Sequence, residues 1–280
     1  MTISGFLPQR WRASPEAARH AEAIAGILHT PPLEQTPGPG IISLLGTTQV
    51  LPYLVAIKTL HRRLGRGAIA IVDDGTLTGE DRAILAHHCS DPQIVPHQAV
   101  RRGPFPAGAA WALLLTILDR RAGEFWIALD PHTVTQADVP EVAEAIASNR
   151  SFCLAGSEGT RGPARRFERR LAVVCGTRGW RYRPGSGGLT GFAAGGNGRA
   201  LAGAFQADAA VLGEEVSADF ARNLLIANES GPVVLPRQRY SGHGSEAAAP
   251  DAAFAFFPDG PRHGAAYSEM SRSVIAEMLV

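Results

Sequence analysis

The chain has 280 residues, long enough for one large unit with a substantial buried core, and its 27 basic and 26 acidic residues leave a formal net charge of +1. That balance excludes a chain-wide attraction to nucleic acid or to an anionic membrane, and it favours a small-molecule or protein partner. Cys89, Cys153 and Cys175 are widely spaced and form no CxxC pair, which argues against a disulfide framework or a cysteine zinc site and for a reducing compartment.

In chain order, Ser14 to Leu28 reads as a helix. Ser14 caps it, Pro15 suits its first turn, Glu16 complements its positive end, and Ala17, Ala21, Ile24 and Leu28 form one apolar stripe. Four prolines and two glycines between His29 and Gly40 then predict a loop. The pattern next alternates: a strand at Ile41 to Leu45, an amphipathic helix at Gln49 to Leu64, a strand at Ala68 to Val72 and a helix at Thr78 to His88. This βαβα order defines an α/β class, here a single domain over residues 1–280. Thr78 with Asp81 matches a capping box, and Gly65 with Gly67 ends the preceding helix.

A short strand follows at Gln93 to Pro96, a break at Gly103 to Pro106, a helix at Ala109 to Arg121 and a strand at Phe125 to Leu129. Beyond it the reading is a helix at Asp138 to Ser148, a strand at Ser151 to Ala155, an aperiodic Arg-rich and Gly-rich segment at Gly156 to Arg170, and a strand at Leu171 to Cys175. Glycines 185, 187, 188, 191, 195, 196 and 198 make a backbone-permissive stretch that fits neither GxGxxG nor GxxxxGK[ST], so no dinucleotide or P-loop fingerprint is present. Helices are expected at Ala200 to Phe205 and Glu214 to Ala227, a strand at Val233 to Leu235, a flexible insert at Gly242 to Pro250, a strand at Phe254 to Phe257 and a closing helix at Tyr267 to Leu279. The longest apolar run, near Ala109 to Leu118, is far shorter than the roughly 20 residues of a membrane span. With no charged start and apolar stretch at its head, the chain is expected to be cytoplasmic, without a transmembrane segment.

The chemistry gathers at two strand ends. Asp73 and Asp74 follow a strand and precede Gly75, so one carboxylate can hold the turn while the other faces a ligand across the carboxyl edge of the sheet. Asp130 and His132 follow the strand Phe125 to Leu129; they are either handlers of phosphate or metal, or a turn started by Asp-Pro beside a solvated histidine. Thr47 and Thr48 stand at the end of the first strand, where such folds meet a base. Glu214 and Glu215 stand at a predicted helix start, where the dipole favours them in any case. The cluster Arg161, Arg165, Arg166, Arg169 and Arg170 reads as a solvated face or a diphosphate contact, and it lacks the interleaved aromatics of a nucleic-acid surface.

The stretch from Tyr53 through Ala56-Ile57-Lys58-Thr59-Leu60 to Val72-Asp73-Asp74-Gly75-Thr76-Leu77-Thr78 and Glu80-Asp81 resembles the AIKSL helix and DDGSLT-ED turn of bacterial glycosyltransferases of the GT-A fold. Ser186-Gly187-Gly188-Leu189-Thr190-Gly191-Phe192 is similar to that family's NSGL-GF segment without its asparagine. Glu214-Glu215, then Val233 to Pro236 with Arg239-Tyr240, resemble its EQ helix and LP--Y elements. The resemblance runs from about Ile41 to the carboxyl terminus. It implies a GT-A-like, Rossmann-like mixed sheet flanked by helices, with a nucleotide-binding half over about 41–135 and an acceptor half over about 136–280.

The same resemblance implies transfer of a sugar from a nucleotide-sugar donor to an acceptor that the sequence does not identify. Thr47, Thr48, Asp73, Asp74 and Asp130 then fall on the nucleotide side, and Gly187, Gly188 and Leu189 on the acceptor side. Glu214 or Glu215 becomes the base. The family's Asp-x-Asp and late histidine hold Mg²⁺ or Mn²⁺, but this chain has Asp130-Pro131-His132 in the first place and Phe256 in the second. Three readings follow: Mn²⁺ or Mg²⁺ on Asp130 and His132, with His263 as a further candidate ligand; metal-independent transfer with arginines carrying the charge; or a non-catalytic nucleotide-binding scaffold.

Overall fold

A computed structural model describes residues 7–156, 173–211, 216–241 and 252–280. Helix α1 (Pro15–Ile24) begins as its sequence dictates, with Ser14 in extended backbone and its Oγ accepting the Ala17 N–H at 3.1 Å. The chain continues through β1 (Gly40–Leu45), α2 (Val50–Leu64), β2 (Ala68–Asp73), α3 (Gly79–Cys89), β3 (Gln93–Pro96), α4 (Ala109–Arg120), β4 (Trp126–Leu129), β5 (Thr133–Thr135), α5 (Pro140–Ala147) and β6 (Phe152–Ala155). A short helix, α6, spans 173–178, followed by β7 (Gly185–Phe192), α7 (Arg199–Val211), α8 (Ala218–Asn228), β8 (Val233–Leu235), β9 (Tyr240–Ser241), β10 (Phe254–Phe256) and α9 (Ala265–Met278). Among the described residues no helix is long and apolar enough to cross a membrane.

Seven strands form a mixed sheet in the order β3-β2-β1-β4-β7-β6-β8. Strands β1 to β4 run parallel, β7 runs antiparallel to both β4 and β6, and β8 is parallel to β6. Alternate residues serve opposite faces, as a period of two requires. Ile41, Leu45, Ile69, Ile71, Ile127 and Leu129 pack toward α1, α2 and α9, whereas Ile42, Ala70, Val72, Trp126 and Ala128 pack toward α4, α7 and α8. Both faces are apolar because both are covered by helices.

Helix α2 is the most buried of the covering layer, with every residue from Val50 to His61 enclosed. Gly65 ends it at φ 69°, its N–H returning to the His61 carbonyl at 2.8 Å. The single lysine, Lys58, is buried there and donates to Thr30 Oγ1 at 2.8 Å, tying α2 to the loop after α1. Burial lowers its pKa to about 8.

Two expected elements differ in the structure, and three strands, β5, β7 and β9, appear where the sequence predicts none. The backbone-permissive glycine stretch, given no element from the sequence, contains an eight-residue strand, Gly185–Phe192, inside the sheet. Its glycines answer crowding, since a Cβ at Gly191 would stand 2.2 Å from Phe152 Cε1 and one at Gly188 would stand 2.4 Å from Phe256 Cγ. The strand expected at Leu171 to Cys175 is helical from 173 on. The helix expected from Glu214 starts instead at Ala218, where Ser217 in extended backbone accepts the Phe220 N–H at 3.3 Å, so the two glutamates precede its cap. Strands β5 and β9, too short to show a period, were not expected; with β10 they make a second sheet in the order β5-β10-β9. The arginine cluster of 161–170 and the insert of 242–250 lie outside the described residues.

Helices α1 and α9 meet through His20, whose ring stacks on Tyr267 at 4.0 Å between centroids and whose Nδ1 is 2.9 Å from Ser268 Oγ. Burial first, then the nearby His132, lowers the His20 pKa to about 3; burial, then Lys58 and His87, lowers that of His88 to about 4.

Two outcomes follow from this packing. Gly191→Ala should lower stability by about 1–3 kcal/mol in urea unfolding, through overpacking against Phe152, and Gly191→Ala combined with Phe152→Leu should recover part of the loss. Because His20 and His88 titrate near 6.5 when unfolded but far lower when folded, acid favours the unfolded chain. Their contribution is fully present above about pH 6.5 and falls away as pH drops through about 4 for His88 and toward about 3 for His20. The melting temperature should decline over that window, and more shallowly in His20→Phe.

Candidate functional site

The strand order reverses at β1, which has β2 on one side and β4 on the other. In open α/β sheets such a point leaves a crevice beyond the carboxyl ends of the strands. A cavity of about 570 Å³ opens there. Leu44, Gln49, Asp74, Asp130 and Gly187 mark its edge along the sheet; Leu113, Leu114 and Ile117 of α4 form an apolar wall; Asp219 and Arg222 of α8 face it, and Phe256 and Pro258 close one end.

The aspartate pair divides its work. Asp73 is buried, its Oδ1 accepting the Gly75 N–H at 2.8 Å and the Leu77 N–H at 3.4 Å, and its Oδ2 pairing with Arg82. It therefore holds the turn and has no face toward the cavity. Asp74 lines the cavity, with Oδ1 bonded to the Thr76 N–H at 2.9 Å and the Thr76 hydroxyl at 2.7 Å. Its Oδ2 lies over Gly46, where an added Cβ would be 2.3 Å away, so only glycine admits this approach. Thr47 is turned elsewhere: its hydroxyl donates to Asp81 Oδ2 at 2.6 Å, and Thr48 stands exposed beside it.

Asp130 is anchored by its own backbone, whose N–H donates to the Gly188 carbonyl at 3.0 Å, and it too lines the cavity. Its Oδ1 accepts the His132 N–H at 2.8 Å and stands 3.3 Å from His132 Nδ1. The ring of His132 is directed to Tyr267, with centroids 6.4 Å apart and edge-on. Asp130 and His132 are thus brought together, but His263 does not join them, since its Nε2 accepts the Asp259 N–H at 3.2 Å. Among the described residues no three His, Cys, Asp or Glu side chains converge on a point fit for a metal ion.

Of the residues the sequence places on the acceptor side, Gly187 reaches the cavity, while Gly188 lies under Phe256 and Leu189 is fully buried opposite Leu129, so the leucine side chain belongs to the core. Glu214 and Glu215 lie outside the described residues. The cation of the site is one that sequence reasoning passed over: Arg222, only 12% exposed, with Nη1 donating to Asp219 Oδ1 at 2.7 Å and Nη2 to Asn223 Oδ1 at 3.3 Å. A Cβ at Gly187 would come within 3.1 Å of its Nη1. The available signal was the Asp219 and Arg222 spacing of three on a predicted helix; Gln49 gave none.

Asp73→Asn should lose about 1–3 kcal/mol of stability in urea unfolding, because an amide N–H₂ replaces the buried oxygen that pairs with Arg82, while the remaining amide oxygen still accepts the two backbone donors. Asp74→Asn should stay within about 0.5 kcal/mol of the parent, its side chain facing the open cavity.

No family model matches the sequence, and no curated protein matches it. Solved structures do. The galactosyltransferase LgtC, in complex with donor and acceptor sugar analogues, aligns with a TM-score of 0.54 at 10% identity, over 86% of this chain and 95% of its own. The glycosyltransferase GlyE of Streptococcus pneumoniae aligns with a TM-score of 0.53 at 12% identity, over 86% of this chain and 63% of its own. With its seven-stranded mixed sheet flanked by helices, the chain has the GT-A fold of glycosyltransferases.

Proposed function

We propose that the protein is a glycosyltransferase that moves a sugar from a nucleotide-sugar donor to an acceptor bound on the α8 side of the cavity. The observation that carries this reading is the placement of Asp74, Asp130 and Arg222 around one cavity at the strand-order reversal of a GT-A fold. LgtC, of the same fold, has been crystallised with donor and acceptor sugar analogues.

The residues that line the cavity have roles that their surroundings support. Asp74, fixed by Thr76, offers Oδ2 to a hydroxyl or N–H of the nucleoside. The apolar wall of Leu113, Leu114 and Ile117 suits the flat face of a base or the ring of a sugar. Arg222 spends two of its five N–H donors on Asp219 and Asn223 and keeps the others for phosphate oxygens. As the sugar bond breaks, negative charge grows on the departing diphosphate, and a held guanidinium stabilises it without reorganisation. Asp130 borders the same region and can accept from a sugar hydroxyl. In an inverting transfer Glu214 or Glu215, just ahead of Ser217 and the helix that carries Arg222, is the base that takes the acceptor's proton.

Among the described residues the side chains around the cavity do not gather a ligand set for a divalent cation. Asp130 Oδ1 is occupied by His132, His263 is turned to Asp259, and Phe256 supplies no ligand. We infer a metal-independent transfer, with Arg222 carrying the charge.

A panel of UDP, GDP and their sugars, read by thermal shift and then by donor hydrolysis, tests the reading. A stabilising nucleotide whose effect persists in EDTA is expected. Arg222→Ala should reduce turnover by about 100-fold, a size typical of losing one preorganised donor to developing charge. Loss of activity in EDTA that Mn²⁺ restores would refute the metal-independent route, and absence of binding to any nucleotide would leave the scaffold alternative.

A further inference from the structure

Arg10 stands outside the cavity, yet an unbroken series of hydrogen bonds leads from it to Asp74. The segment that carries it is pinned by Trp11, which is 3% exposed and has the Arg10 guanidinium over its ring at 5.3 Å. Arg10 donates through Nε to Asp81 Oδ1 at 3.1 Å and through Nη2 to Glu80 at 2.8 Å. Asp81 has a fully enclosed side chain, and its Oδ2 accepts the Thr47 hydroxyl at 2.6 Å, the Thr78 hydroxyl at 2.8 Å and the Thr78 N–H at 3.0 Å. Thr47 then donates its N–H to Thr76 Oγ1 at 2.9 Å, and Thr76 gives its single hydroxyl proton to Asp74 Oδ1.

Each hydroxyl in this series has one proton and one acceptor for it, so the direction of every bond is fixed by its neighbours. The loops after β1 and β2 are also too close for rearrangement, since a Cβ at Gly46 would meet Asp74 Oδ2 at 2.3 Å and Thr76 Oγ1 at 2.9 Å. Burial by itself would raise the Asp81 pKa, but the bonds from Thr47, Thr78 and Arg10 outweigh it and hold the carboxyl below its usual range. Without Arg10, the buried Asp81 carboxylate loses its only guanidinium partner among the described residues, and the arrangement of Thr47 changes with it.

We propose that Arg10 and Asp81 are positioning residues for the donor edge of the cavity, setting the orientation of Asp74 through Thr47 and Thr76. The proposal rests on the cavity being a nucleotide-sugar site. It reassigns Thr47 from touching the nucleotide to orienting the carboxylate that does.

Amide hydrogen exchange on the full chain without ligand tests the positioning independently of any activity. The Thr76 amide, bonded to Asp74 Oδ1, should exchange about tenfold faster in Arg10→Ala and in Thr47→Val, the scale of losing one hydrogen bond to a charged group. It should return to the parent rate in Thr47→Ser, and the β1 amides should not change in any of the three. Unchanged exchange at Thr76 in both Arg10→Ala and Thr47→Val would overturn the proposal, as would equal acceleration throughout β1, which reports general loosening. With the nucleotide found in the panel above, the same two variants should raise the donor KM about tenfold with kcat nearly constant. Faster exchange with an unaltered KM would overturn the link to the donor edge, whereas failure of the parent to bind any nucleotide would remove the functional reading and leave the exchange result to judge the relay.

Discussion

The cavity depends on one antiparallel contact, the packing of β7 against β4. Their register sets Leu189 opposite Leu129, and one step further the Asp130 N–H meets the Gly188 carbonyl at 3.0 Å. That bond ends β4 at the carboxyl edge and fixes Asp130 there, while the preceding residue, Gly187, opens toward Arg222. The approach tolerates no side chain at Gly188 or Gly191, because Phe256 and Phe152 already fill those places. Glycine in mid-strand costs backbone entropy; here the aromatic contacts it admits offset that cost and seal the end of the cavity.

Around this frame the carboxylates separate by environment. Asp73 and Asp74 are neighbours in sequence, yet a strand directs successive side chains to opposite sides. Asp73 turns inward to Arg82 and the turn amides, while Asp74 turns out to the cavity with one oxygen already held by Thr76. Asp130 is likewise half committed, to His132. Against these carboxylates stands Arg222, itself steadied by Asp219, so charge of both signs surrounds a wall of leucine and isoleucine. A ligand with a polar, anionic section and a flat apolar face matches that division.

The first half of the chain was legible in sequence because its signals are local. The capping box at Thr78 and Asp81, the Gly65 stop, the Ser14 cap and the alternating apolar strands are each set within a few residues, and the structure reproduces them closely. The second half was less legible. The glycines of β7 give no strand signal because their reason is a pair of phenylalanines far away in sequence, and β5 and β9 are too short for a period to show. Arg222 was unmarked for the same kind of reason: an arginine three residues after an aspartate reads as a surface pair until the face of α8 that meets the sheet is known.

The sequence by itself determined the α/β order and the turn at Asp73 to Thr78. Those features rest on chain-local sterics, capping and residue identity. Only the tertiary structure decided which aspartate faces the cavity, that Thr47 is spent on Asp81, that Leu189 belongs to the core, and that Arg222 supplies the positive charge. These follow from strand pairing and helix packing that bring residues as far apart in sequence as Asp74 and Arg222, 148 positions, to the lining of one cavity, and such placement leaves no mark in a single local stretch of sequence.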